Sequence, residues 1–360
     1  MENLKIYSKE YINSLTIKRD GESKLGEYVQ ALNKISDNNL EDQLLNSTAN
    51  YVLLGLPEDI GIKANKGRGG AYSAWQPTIT SFLNIQSNQF LQGNEILVLG
   101  HVDFSDLLDK ASTINFKKNE GIVQARNLVN EIDDRVFPII QSIVNTGKEP
   151  IIIGGGHNNA YPNIKGAALG LFESGKIKSS SISSINLDAH SDFRAMEGRH
   201  SGNGFSYAFH DGFLNKYAIV GLHENYNSDT VIKELLLRKD RINFSIYEDI
   251  FVREAINLKE AIEQAREFCK EDFIGLEIDL DSIQNIPSSA KTSSGISANQ
   301  ARFYINYLAE NTKIAYLHIP EGAPVLSHIK TDNKTGKLIS YLISDFIKAR
   351  NKFKKTNIIY

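Results

Sequence analysis

The chain has 360 residues, 41% hydrophobic and 23% charged, with 40 basic against 43 acidic side chains and a net charge of −3. This is the make-up of a globular protein with a substantial core, without the basic field that nucleic acid or an anionic membrane surface demands. The single cysteine, Cys269, cannot form an internal disulfide, the first residues carry no apolar signal stretch, and no run approaches the ~18 apolar residues of a membrane span, so a cytoplasmic soluble protein is expected.

Residues 1–48 are polar, rich in Asn, Lys and Glu, and lack a clear strand; they read as a helical N-terminal extension packed on a catalytic domain of residues 49–360. From there short apolar runs alternate with longer amphipathic stretches. Candidate strands are Tyr51–Leu56, Ile96–Gly100, Pro150–Ile153, Ser180–Leu187, Tyr217–Gly221, Ile242–Ser245, Asp272–Leu280 and Lys313–Ile319. Between the first two lies a glycine-rich loop, Gly61–Ala71, without the Gly-Lys-Ser/Thr order of a phosphate loop. The clearest helical pattern is Gly121–Gly147, where Val123, Leu128, Ile132, Val136, Ile139, Ile140 and Ile143 recur at helical spacing. Asn257–Lys270 and Ser297–Glu310 are two more helices, the second with Ser297 as N-cap. Cys269 falls in the former and reads as a structural thiol. Strands alternating with helices predict a mainly parallel sheet covered on both faces, with ligands collecting at the carboxyl ends of its strands.

Three segments that follow such strands carry metal-ligand residue types: Gly154-Gly155-Gly156-His157, Asp188-Ala189-His190-Ser191-Asp192 and Glu277-Ile278-Asp279-Leu280-Asp281. In extended backbone, residues two apart share a face, so Asp188, His190 and Asp192 are expected to point together, as are Asp279 and Asp281, with Glu277 deeper on the same face. Carboxylates this close repel one another unless a cation lies between them. Taken singly, each segment also suits a turn, a cap or a polar strand end; together they offer enough ligands for two divalent ions. Oxygen-rich sites with two imidazoles and no thiolate suit Mn²⁺ or Mg²⁺, with Fe²⁺, Co²⁺ or Ni²⁺ as other candidates. Such a pair activates water for hydrolysis.

The ordered set resembles the ureohydrolase superfamily of arginase, agmatinase and formimidoylglutamase, from about Tyr51 to about Arg350, and Lys66-Gly67-Arg68-Gly69-Gly70-Ala71 resembles that family's early Gly-Arg-x-Gly-Ala loop. The resemblance implies a three-layer α/β/α sandwich with an eight-stranded, mainly parallel sheet, and a homo-oligomer, trimeric or hexameric. It implies two Mn²⁺ per chain, one held by His157, Asp188, Asp192 and Asp279, the other by Asp188, His190, Asp279 and Asp281, with Asp188 and Asp279 bridging. It implies attack of activated water on the central carbon of a small amidine or guanidine, with Asp192 taking part in proton handling and Glu321, in His318-Ile319-Pro320-Glu321-Gly322, holding the cationic head of the substrate.

Departures within the family narrow the substrate. Gly156, Asp192-Phe193-Arg194 and Ser201-Gly202-Asn203-Gly204-Phe205 resemble the formimidoylglutamase versions of their motifs. Arg194 suits a substrate carboxylate, Ser201 and Asn203 are expected beside the substrate, and His200 is a candidate proton shuttle. Glu277 replaces the usual Ser, and Gln284-Asn285 the usual Asp-Pro. His101 either lines the pocket or packs; His210, His223, His318 and His328 read as structural. The favoured reaction is conversion of N-formimino-L-glutamate to L-glutamate and formamide. An arginase or other guanidino-compound hydrolase, a catalytically silent metal-binding protein on the same fold and a two-metal phosphoesterase stand as alternatives.

Overall fold

The structure, a computed structural model, describes residues 3–32, 40–327 and 333–357. Nine strands form one sheet: β1 (Leu4–Ile6), β2 (Tyr51–Gly55), β3 (Ile96–Val102), β4 (Glu149–Ile153), β5 (Ile182–Leu187), β6 (Leu214–Leu222), β7 (Ile242–Ile246), β8 (Ile274–Ile278) and β9 (Ile314–Ile319). Their order is β1-β3-β2-β4-β9-β8-β5-β6-β7. The pairings from β2 to β9 are parallel, while β1 runs antiparallel to β3 in the register Leu4↔Val102. The sheet thus has one strand more than the eight implied by resemblance. The extra strand is three residues long, too short for an apolar alternation to show, and lies in the stretch read as helical.

Successive residues of a strand face opposite sides of a sheet, and the apolar strands divide accordingly. Tyr51, Leu53, Ile151, Ile153, Leu276 and Ile278 enter one buried cluster, packed on the helices Trp75–Leu83, Leu258–Cys269, Ala298–Asn311 and Lys334–Asn357. Val52, Leu54, Leu97, Ile152, Ile219 and Tyr316 enter the other, under the helices Asn119–Asn145, Ala160–Glu173 and Gly204–His210. Burial on both faces is why these strands read as continuous apolar runs. The result is a three-layer α/β/α sandwich. Among the described residues no helix is long and apolar enough to cross a membrane.

The glycine-rich stretch is not all loop: Ile60–Ala64 is a short helix, its apolar side chains buried, and the irregular backbone begins at Asn65. His101 packs rather than lining a pocket; it sits within β3 with Nδ1 3.0 Å from the Tyr7 hydroxyl. Cys269 is buried at the end of its helix, and burial pushes its thiol up to about 12, so it is an inert core thiol. His328 lies outside the described residues.

Candidate metal centre

Four adjacent strands, β4, β9, β8 and β5, deliver the site from their carboxyl ends. Beyond β4 the chain turns through Gly154 and Gly155 at φ 87° and 75°. At Gly155 a Cβ would lie 2.4 Å from Asn159 Nδ2, and at Gly156 one would lie 2.5 Å from Asn158 Oδ1, so both positions are closed to side chains as packed. His157 follows at the head of a 3₁₀ turn, fully buried.

Asp188 and Asp279 follow β5 and β8 and are built alike. Asp188 Oδ1 accepts the His190 backbone N–H at 2.8 Å, and Asp279 Oδ1 accepts that of Asp281 at 2.7 Å. Each aspartate spends one oxygen on the turn that aims the residue two positions on. Asp192 does not reach the site by simple strand alternation, because its own φ is +45°. That left-handed residue swings its carboxylate toward His157 while His190 turns the other way.

Two groups result, joined at Asp188. In the first, His157 Nδ1 lies 2.9 Å from Asp192 Oδ2, 3.0 Å from Asp279 Oδ2 and 3.3 Å from Asp188 Oδ2. In the second, His190 Nδ1 lies 3.6 Å from Asp188 Oδ1 and 3.5 Å from Asp281 Oδ2. Both sets bring their donor atoms close enough to surround one ion each. Asp188 belongs to both groups, whereas Asp279 gathers with the first. Burial lowers the basicity of His157, but the surrounding carboxylates of Asp188, Asp192, Asp279 and Glu277 outweigh it and hold the imidazole well above its ordinary pKa. Burial and the Asp188 charge push Asp192 up to about 6, and burial with Asp281 and Asp188 drives Asp279 well above the usual carboxylate range. Buried Asp281 Oδ1 and Glu321 Oε2 have no hydrogen-bond partner among the described residues. Carboxylates crowded out of water with unspent oxygens suit a divalent cation, so the residues fit the metal pair that the motifs imply.

A cavity of about 480 Å³ opens over this cluster; Asp192, His190, Asp279, Asp281 and Glu321 form part of its wall. Glu321, at φ 67° just beyond β9, accepts the His157 backbone N–H at 3.0 Å through Oε1. Burial and the neighbouring Asp281 charge hold its carboxyl well above the usual range. Arg194 and Ser201 also line the cavity. The Arg194 side chain is 50% exposed, and its Nη1 donates to Asn65 Oδ1 at 2.6 Å while Asn65 Nδ2 reaches Ser201 Oγ at 3.3 Å. Tyr226 stacks on His190 at 5.3 Å, and Asn227 accepts the Ser191 backbone N–H at 3.0 Å, so this loop braces the Asp188–Asp192 segment.

His200 and Asn203 do not line the cavity. His200 is fully buried; Nδ1 accepts from Gly202 N at 3.1 Å and Nε2 lies 3.5 Å from Glu197 Oε1. Burial and the charges of Arg194, Arg126 and Arg199 push its pKa down to about 3. The Asn203 carboxamide accepts from His200 N and Arg199 and donates to the carbonyls of Ala195 and Gly198. Asn65, Tyr226 and Asn227 escaped the sequence reading: Asn65 stands just before the Lys66–Ala71 motif, Tyr226 and Asn227 have no motif around them, and only the fold brings the three to the cavity.

A three-layer fold whose neighbouring strand ends gather aspartates and imidazoles into two fused groups defines a class, that of α/β proteins with a candidate two-metal site at the carboxyl edge of a parallel sheet. The sequence profile of the arginase family matches residues 49–347. The chain belongs to the arginase family. It is 26% identical over 305 residues to the formimidoylglutamase of Streptococcus pyogenes serotype M3, covering 81% of this chain and 84% of that one. In structure it resembles the formimidoylglutamase of Bacillus subtilis, with a TM-score of 0.69, 18% identity and coverage of 93% and 94%. It likewise resembles Trypanosoma cruzi formiminoglutamase with Mn²⁺, with a TM-score of 0.65, 18% identity and coverage of 91% and 98%.

Proposed function

We propose that the chain is a two-manganese hydrolase that converts N-formimino-L-glutamate and water to L-glutamate and formamide. The observation that carries the reading is the placement of Arg194, held by Asn65, on the wall of the cavity that also contains the aspartate cluster. A guanidinium suits a substrate carboxylate, which agmatine lacks; arginine and guanidinobutyrate also carry one, and the substrate panel below separates them. The similarity to formimidoylglutamases supports the same substrate.

In this reading His157, Asp188, Asp192 and Asp279 hold one Mn²⁺, and Asp188, His190 and Asp281 the other. The bound pair supplies Lewis acidity that lowers the pKa of a water and orients it for attack. Glu321 presents its unpaired oxygen to the cationic formimino group. Arg194 and Ser201 take the glutamate carboxylates and set the distance from carboxylate to reacting carbon. The C–N bond to the glutamate nitrogen breaks, the water oxygen stays with the carbon that leaves as formamide, and a proton passes to the departing amine. Asp192, beside both His157 and the cavity, is the group placed to hold that proton.

The test is a substrate panel with Mn²⁺-loaded protein: N-formimino-L-glutamate, arginine, agmatine and guanidinobutyrate, following formamide and urea. Formamide from the first compound alone is the expected result. Urea from a guanidino compound with no formamide would move the assignment to a guanidino-compound hydrolase. Two bound ions with no turnover of any compound would favour a silent metal-binding protein.

A further inference from the structure

Behind His157, on the side away from the cavity, lies a second set of polar groups. The β8–β9 register pairs Glu277 with His318, and Tyr316 stands two residues before His318 on the same face. Tyr316 donates its hydroxyl to Glu277 Oε1 at 2.6 Å, and His318 Nδ1 lies 2.6 Å from Oε2. Glu277 Oε2 is in turn 3.4 Å from His157 Nε2. All four residues are 0% exposed. A carboxylate so far from water is costly unless its position is repaid by charge and hydrogen bonds. A neutral imidazole carries one lone pair and one N–H. Since Nδ1 of His157 faces Asp188, Asp192 and Asp279, a cation among them takes the lone pair of Nδ1 and leaves the proton on Nε2. Nε2 has no hydrogen-bond partner among the described residues at the present geometry, and Glu277 is the acceptor that faces it.

We propose that Glu277, held by Tyr316 and His318, is a positioning residue for the metal centre: it receives the Nε2–H of His157, fixes that tautomer and aims Nδ1 at the cation shared with Asp188, Asp192 and Asp279. The inference rests on the metal reading above. Carboxylates that orient a ligating histidine in this way contribute about 10–100-fold to metal affinity. The cation held by His190 and Asp281 is not touched by this relay, so the two ions respond unequally.

The experiment is titration of metal-free protein with Mn²⁺, reading free ion by electron paramagnetic resonance, for the native chain, Glu277→Gln and His318→Gln. The native chain takes up two ions. In Glu277→Gln one ion weakens by about 10–100-fold and the other holds its affinity; His318→Gln acts in the same direction, and the double variant is less than additive. Thermal melts of the metal-free proteins separate folding from affinity. A lower melting temperature with both Mn²⁺ affinities unchanged overturns the positioning role and leaves a structural one. If Glu277→Gln does not fold, His318→Gln decides by the same comparison. No Mn²⁺ uptake by the native chain would overturn the metal reading itself, a failure distinct from that of Glu277.

Discussion

At the residue scale, the site depends on aspartates that do two jobs. Asp188 and Asp279 each hold the backbone two residues on and present the other oxygen to the cluster. Their identity and spacing were legible in the sequence. The sharing of labour was not, because it depends on turn geometry and on the left-handed backbone of Asp192. Arg194 is the residue on which the proposed substrate choice turns. Replacing it with Ala removes a charged hydrogen-bond donor worth about 1.5–3 kcal/mol, so kcat/KM for formiminoglutamate is expected to fall by about 10–150-fold, mainly through KM. Steady-state kinetics check this, and a change confined to kcat would point away from carboxylate binding. His200 provides a contrast. It is buried beside Glu197 and off the cavity wall, so His200→Gln is expected to leave the pH profile of kcat unchanged. A lost ionisation limb in that profile would restore it as a proton shuttle.

At the element scale, apolar runs buried on both faces made β2 to β9 readable, and the glycine turn after β4 marked where the chain leaves the sheet. The strand Leu4–Ile6 and the helix Ile60–Ala64 were not readable. The first is defined only by its partner β3, and the second is a short helix with Gly61 inside it, at the head of a glycine-rich stretch. The helix Lys334–Asn357 is tied to β4 by a buried pair: Arg350 Nε and Nη2 donate to Glu149 at 2.8 and 3.0 Å, and Arg350 Nη1 also donates to the carbonyls of Ala309 and Thr312. Glu149→Gln strands the guanidinium charge and is expected to cost about 3–5 kcal/mol in denaturant unfolding. Burial pushes the Glu149 carboxyl up, but Arg350 and Lys354 outweigh burial and hold its pKa below the ordinary value. A depressed folded-state pKa means the unfolded chain binds the proton first as pH falls. The stabilisation is therefore fully present above the unfolded glutamate value of about 4.3 and is lost as pH drops below it. Native protein should lose stability more steeply below that pH than Glu149→Gln.

At the scale of the whole molecule, the adjacent ends of β5, β8 and β9 hold Asp188, Asp192, Asp279, Asp281 and Glu321 in one crowded group. Without a cation this group opposes folding through mutual repulsion, which together with burial raises the carboxyl pKa values of Asp192, Asp279 and Glu321. Mn²⁺ at a hundred times its dissociation constant is expected to stabilise the fold by about 2.7 kcal/mol per ion bound, seen as a rise in melting temperature that a chelator reverses. Asp281→Asn, which leaves the His157 group intact, should retain part of that rise; Asp188→Asn, common to both groups, should retain little of it. Fold class and ligand set follow from local patterns, which explains why they could be read from the chain. The proposed substrate selection rests on Asn65 and Arg194, 129 positions apart, and such a pairing exists only in the folded molecule. The most direct test of the central claim is formamide release from N-formimino-L-glutamate measured against Mn²⁺ added per chain. The account predicts activity that climbs to a plateau at two ions per chain; no formamide at any metal loading, with two ions bound, would contradict it.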